Sequence, residues 1–270
     1  MARPGAAQFH VGADGLLATR YVWRGVERTN GFVLQPDAYL AYSLKGAGWI
    51  TGGVWGNVEL EHWSRTDHSD RPDRKSGLGE RDAWVQVTRG LGVVEGTAGW
   101  VGYFHRADLT AGPAAGLYDT HEIYAALQAR SAYLSPRLAA WWDVSRIRGL
   151  YFEGSVDLPI MGAFRGQQFW ALYLTATVGL NAGQGPDPDR PLDPVNFAAK
   201  GVTHLDLGAA FNLRVPWLDR WAATQLEGHM QLNRDPYTKR HSRAAGDDDH
   251  LVTFWAGLSL GVPTYRATGE

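Results

Sequence analysis

His204-Leu205-Asp206-Leu207-Gly208-Ala209-Ala210-Phe211-Asn212-Leu213-Arg214 puts Leu205, Leu207, Ala209, Phe211 and Leu213 on one face of an extended chain. Ala223-Thr224-Gln225-Leu226-Glu227-Gly228-His229-Met230-Gln231-Leu232-Asn233 repeats the alternation. Strand side chains point to opposite faces with a period of two, so each stretch reads as a strand with one greasy and one polar face. Working outward, segments of the same kind recur at 11–24, 32–44, 48–62, 81–89, 93–106, 119–129, 137–145, 150–158, 168–182, 203–214, 221–233 and 250–262. Most reach the roughly nine to eleven residues that a tilted strand needs to cross a bilayer. The segment 119–129 is the least distinctive, because Glu122, Ala125, Ala126, Leu127, Gln128 and Ala129 also favour helix.

The connections alternate in length. Lys45–Ala47, Gly90–Gly92, Pro159–Gly166 and Pro216–Arg220 are short, whereas Ser64–Glu80, Ala107–Tyr118, Gly183–Val202 and Arg234–Asp249 are long, the last two rich in Asp, Pro and Gly. Arg146–Gly149 is a short exception on the long side. An even strand number with short turns at one end and longer loops at the other is the layout of a transmembrane β-barrel, in which lipid tolerates no open sheet edge. One-sided alternation also fits a soluble sandwich or a lipocalin-like barrel. The aromatics favour the membrane: Trp23, Tyr42, Trp100, Phe104, Trp142 and Trp170 fall near strand ends on the apolar face, as interfacial girdles do.

Composition narrows the function classes. The 26 basic and 28 acidic side chains nearly balance, which removes a whole-protein electrostatic case for nucleic acid. No run approaches the roughly 18 apolar residues of a spanning helix. With no cysteine, thiolate metal sites, iron–sulfur centres, thiol nucleophiles and disulfide scaffolds are excluded. The 33 glycines, 12 tryptophans, 11 tyrosines and 9 phenylalanines, against lysine only at positions 45, 75, 200 and 239, make a β-rich, aromatic-banded chain. Met1–Gln8 lacks the basic start and apolar core of a secretory signal, so an exported form is expected to have lost its signal.

Tyr21-Val22-Trp23-Arg24-Gly25, Asn30-Gly31, Leu34-Gln35-Pro36 and Gly53-Val54-Trp55-Gly56-Asn57 resemble the opening of a proteobacterial family of outer-membrane β-barrel proteins of conserved hypothetical type, Gcw_chp-like or TorF-like. The middle is similar through His121-Glu122-Ile123-Tyr124, Leu134-Ser135-Pro136 and Tyr151-Phe152-Glu153-Gly154-Ser155-Val156. The end is similar through Leu180-Asn181-Ala182-Gly183, His204–Gly208 and Phe254-Trp255-Ala256-Gly257-Leu258-Ser259-Leu260. The resemblance spans nearly the whole chain in order and implies an architecture and a bacterial outer-membrane location, but no settled activity. One departure is the end of the chain: such barrels generally finish on an aromatic residue, whereas this one continues through Val262-Pro263-Thr264-Tyr265 to Glu270.

The expected fold is therefore one all-β, antiparallel transmembrane barrel of twelve strands over residues 1–262, followed by a tail at 263–270. Termini and short turns are expected on the periplasmic side, with loops at 25–31, 64–80, 107–118, 183–202 and 234–249 outside. The non-apolar face then lines the lumen with Asp37, Glu59, Glu61, Asp82, Glu95, Glu122, Asp143, Glu153, Asp157, Asp206 and Glu227, against Arg20, Arg24 and Arg214. Gln35, Asn57 and His229 join that lining. An acidic lining of this kind favours cations and basic solutes. Large inward residues, Trp55, Trp84, Tyr103, Tyr124, Trp141, Tyr151 and Trp255, open the alternative of a filled lumen. A hairpin over Gly25–Phe32 would set Arg24 beside Gln35 and within diagonal reach of Asp37, either as a structural rivet or as a cluster touching the solute.

Catalysis is not expected. His121 faces outward, Ser145 in the next strand faces inward, no GxSxG sequence is present, and His105 and His229 have no matching serine. Asp247-Asp248-Asp249-His250 and Asp187-Pro188-Asp189 offer oxygen ligands without an EF-hand spacing, and Ser64–Arg74 reads as a solvated loop. No cofactor or metal is expected. The expected partners are membrane lipid and lipopolysaccharide, with small solutes or a partner protein besides, and no nucleic acid.

Overall fold

The computed structural model describes residues 9–44, 47–60, 77–105, 119–129, 131, 133–162, 170–185, 197, 199–213, 223–235 and 252–262. Twelve strands follow one another: β1 (Phe9–Trp23), β2 (Val26–Ser43), β3 (Trp49–Glu59), β4 (Gly77–Leu91), β5 (Val94–His105) and β6 (Thr120–Ala129) form the first half. The second half is β7 (Ser135–Asp143), β8 (Leu150–Gly162), β9 (Trp170–Asn181), β10 (Gly201–Leu213), β11 (Ala223–Asn233) and β12 (Val252–Val262). Each strand pairs antiparallel with its sequence neighbours and β1 closes on β12, so the sheet is a complete barrel. The stretch 119–129, whose residues favour helix in isolation, is a strand, because pairing with β5 and β7 fixes it.

Closure explains the surface. Exposed apolar side chains such as Leu40, Val54, Val85, Leu127, Leu138, Phe152, Leu207 and Phe254 point outward at every second position, and among the described residues buried ones are few. Buried polar groups such as Gln35, Asn57, Glu122, Asp143, Asp206, Gln231 and Asn233 point inward. A soluble sandwich has the opposite arrangement, with its apolar faces against each other. Tyr42, Trp100, Phe104 and Trp142 share the outward face; the side chain of Trp170 lies outside the described residues.

The structure corrects the first hairpin. The β1–β2 connection is not a loop over 25–31 but a two-residue turn at Arg24-Gly25, with Trp23 paired to Val26. Both turn residues have positive φ, 48° and 89°, as a type I′ turn requires. This hairpin also leaves the wall. β1 pairs with β12 only from Ala13 to Ala18, while β2 stays with β3 up to Val33 opposite Glu59. Beyond Ala18 and Val33 the hairpin bends into the lumen. Trp23 therefore sits 6.0 Å from the inward Tyr103 ring and is not part of a lipid-facing girdle.

The other expected loops, 64–80, 107–118, 183–202 and 234–249, fall largely outside the described residues, although β4 already begins at Gly77. The tail 263–270 and the loop carboxylates at 187–189 and 247–249 lie outside them too.

Candidate functional site: the latched lumen

Arg24 is carried by the turn to the opposite side of the lumen. Its two terminal nitrogens donate to both carboxylate oxygens of Glu122 on β6, at 2.7 and 2.6 Å, and the two side chains are 6% and 2% exposed. Tyr103 donates its hydroxyl to Glu122 at 2.8 Å, and the Gln184 amide donates to the other oxygen at 2.7 Å. The guanidinium also lies 4.5, 4.7 and 4.6 Å from the ring centroids of Trp23, Trp141 and Tyr151. A planar guanidinium suits this place, since it offers a fork to the carboxylate and flat faces to aromatic rings. Dry surroundings make such a pair costly to break from one side.

The rest of the tip is held as firmly. Gln231 on β11 donates to the Gly25 carbonyl at 2.8 Å, and a Cβ at Gly25 would meet the His204 ring on β10. Val26 packs with Tyr151 and Phe197, whose rings stack at 5.4 Å and 9°. Phe197 and Gln184 come from the β9–β10 connection, which Asn181 ties inward by donating to the Gln184 and Ala199 carbonyls at 2.7 and 2.8 Å. Replacing Gly179, beneath this cluster, with Ala would drive a methyl against Tyr151, His204 and Thr203. The expected cost is about 1–3 kcal/mol, read as a lower urea midpoint for unfolding from lipid vesicles.

The arrangement overturns the expected Arg24–Gln35–Asp37 cluster. Gln35 sits opposite Leu16 and donates to Asn57 at 3.1 Å, and Asp37 sits opposite Asp14, far down the hairpin from the turn. Arg20 lies on the infolded part of β1, paired with Asn30. Asn57, Glu59, Glu95, Glu122, Asp143, Glu153, Asp157, Asp206, Glu227 and His229 all stand on the inward face. Glu61 and Arg214 lie outside the described residues.

Several inward groups escaped the sequence reading. Asp14 and Arg137 follow from strand parity, the latter reaching Glu153 at 3.4 Å. Glu80 sits one residue before the expected start of β4 and is buried. Gln184 and Phe197 carried no signal, since a connecting segment has no period to read. The carboxylates differ in company. Asp206 binds the His229 ring at 2.6 Å, and that ring stacks on Trp255 at 4.0 Å and 2°. Asp143 accepts from the backbone of Ser145, Ile147 and Arg148 and from the Thr120 hydroxyl, so it shapes the β7–β8 turn. At the end that carries the short β4–β5 and β6–β7 connections, Glu95 lies opposite Gly90 beside a tight turn and Asp157 lies opposite Ser135, the first residue of β7.

His121 faces outward, stacked on Trp100 at 5.5 Å, and Ser145 lies beyond the end of β7, where its hydroxyl accepts the His121 backbone N–H at 2.9 Å. The hydroxyl thus holds the main chain and does not reach the imidazole as a partner.

No protein-family profile matches the chain, and no curated protein matches it. Solved structures do. A chain from work on the in-meso crystallization of membrane proteins aligns with 97% of this chain and 85% of its own length, at a TM-score of 0.51 and 6% identity. LpxR from Salmonella typhimurium aligns with 93% of this chain and 99% of its own, at 0.48 and 9%. The COG4313 outer membrane channel from Pseudomonas putida F1 aligns with 97% and 96%, at 0.39 and 14%. The likeness is one of architecture. It corrects one expectation, that the chain is not an enzyme, because a barrel fold alone decides neither for nor against catalysis. Closed pairing, an outward apolar belt and an inward polar lining satisfy the demands of lipid, and the chain folds as a twelve-stranded antiparallel β-barrel of membrane-spanning architecture.

Proposed function

We propose that the barrel is a narrow passive channel for small cationic or neutral solutes, with an acidic lumen and with the β1–β2 hairpin as its constriction. The observation that carries this reading is the charge of the inward face. Asp14, Asp37, Glu59, Glu95, Glu153, Asp157 and Glu227 are distributed along it, against Arg20 on the infolded hairpin, Arg24, committed to Glu122, and Arg137, engaged with Glu153. A low-dielectric wall concentrates the field of such charges and raises the local concentration of cations. Membership of the Gcw_chp-like or TorF-like family belongs to the same proposal and rests on the motifs quoted above.

Conductance of the refolded protein in a planar bilayer, with a salt gradient to read the reversal potential, tests it. A steady conductance with cation preference is the expected result. Asp37→Lys and Glu59→Lys should each lower that preference, and unchanged reversal potentials in both would remove the acidic lining from the account. Silence from protein shown to be inserted would support the second reading, a closed-lumen barrel that anchors or scaffolds a partner in the outer membrane. The dry Arg24–Glu122 latch, 6% and 2% exposed, favours that reading.

A further inference from the structure

The outer wall of β10–β12 carries a trench. Ala209, Gly228 and Ala256 are direct cross-strand neighbours on the outward face, none with a side chain longer than a methyl group. A row of large residues, Leu207, Met230 and Phe254, lies two positions to one side, and Phe211, Leu226 and Leu258 lie two positions to the other, each row again in direct register. Over the small-residue row and the Leu207, Met230 and Phe254 ridge lies a shallow, open groove of about 580 Å³ with a mainly apolar lining. Strands spaced by about 4.8 Å make it long enough for several methylenes and wide enough for one hydrocarbon chain.

The trench ends where the wall is interrupted. Ala18 opposite Gly257 is the last β1–β12 pair, and β12 continues for five residues, to Val252, beyond it. At the break the Ala256 N–H donates not to β1 backbone but to the Thr19 hydroxyl, at 3.1 Å, and Thr19 also lines the groove. Backbone groups facing one neighbour recur every second residue, so those of Phe254 point to the side from which β1, among the described residues, has turned away. Phe254 itself is 64% exposed. Sheet edge facing hydrocarbon is costly unless a hydrogen-bonding group meets it.

We propose that this is a lateral site for a single-chain amphiphile of the outer leaflet: the hydrocarbon chain lies in the trench, and an uncharged or cationic head that can hydrogen-bond lodges at the notch beside Thr19. The surrounding lipid is the occupant that the outward face already meets, and the notch supplies what a polar head needs and a smooth wall lacks. The acidic lumen behind the notch disfavours an anionic head. This inference does not depend on axial conduction.

The test uses the full chain in phosphatidylcholine nanodiscs with trace monopalmitoyl glycerol bearing a diazirine, either near the head or at the chain terminus, and mass-spectrometric mapping of the adducts. The head-proximal probe should label the segments around Thr19 and Phe254, and the terminal probe those around Ala209 and Gly228. Gly228→Leu supplies the decisive variant, because a Cβ there meets nothing within 4 Å and the new side chain fills the trench without disturbing the wall. It should cut labelling about tenfold, the equivalent of losing roughly two buried methylenes. Gly15→Leu, also open to a Cβ and placed on β1 away from the trench, should leave labelling unchanged. Equal labelling around the whole barrel, the same map from both probes, or an equal response to both variants would each overturn the proposal.

Discussion

Glu122→Gln should release the hairpin and raise the single-channel conductance. The substitution keeps the shape of the side chain and removes its charge, leaving Arg24 enclosed by Trp23, Trp141 and Tyr151 with no anion at its fork. Removing one partner of a buried ion pair costs roughly 3–5 kcal/mol, because the remaining charge has lost both its solvent and its counter-charge. The tip has a cheaper course than enduring that cost, since Arg24 hangs on a two-residue turn and can withdraw towards water with the hairpin. Arg24→Ala should act in the same direction and leave Glu122 with Tyr103 and Gln184. The double variant should lose little beyond the single ones, a non-additivity that marks the two groups as one latch. Longer or more frequent open events in both single variants are the expected record. Wild-type conductance from both, in protein shown to be folded by heat-modifiable migration, would remove the hairpin from the gate.

Leu207→Arg or Leu226→Arg should impair insertion. Both side chains point outward within the apolar belt, 41% and 48% exposed, in strands paired on both sides. A cationic side chain on the lipid face at the bilayer midplane costs about 2–4 kcal/mol, falling to about 1 or less at the interfaces. Inward positions on the same strands respond differently. Asn212→Arg on β10 points to the polar lumen and should insert with nearly wild-type yield. The contrast within one strand, read as the folded fraction after dilution from urea into vesicles, separates lipid-facing from lumen-facing residues with a single substitution type.

Alternation made the barrel wall legible from the sequence, because a strand between lipid and a polar lumen has no freedom to break its period. All twelve strands lie where that period runs, and the register of the wall puts carboxylates such as Glu59, Glu95 and Glu227 on its inner face. The latch was illegible for three physical reasons. Asn30-Gly31 has the composition of a tight turn and lies between two apolar runs, which favours a loop over Gly25–Phe32. The actual turn places Arg24, a side chain with no special liking for positive φ, at 48°, and tertiary contacts hold it there. The Arg24–Glu122 contact joins residues 98 apart across the lumen, and no local pattern encodes a contact of that range. Gln184 and Phe197 add the third reason, because their place is set by Asn181 and by the Tyr151 ring and not by anything in their own stretch.

The inward hairpin also bears on the cross-section of the cylinder. An empty twelve-stranded wall is free to flatten into an ellipse, since hydrogen-bonded strands pivot about one another at little cost. Here one strut crosses the bore and is fastened at its far end to β6 through Glu122 and to β11 through Gln231, in two different directions. Two anchored directions triangulate the ring and hold it round. Retracting the strut would soften the circle as well as clear the bore, so lateral pressure from the bilayer becomes a variable that the protein feels only in its unlatched form.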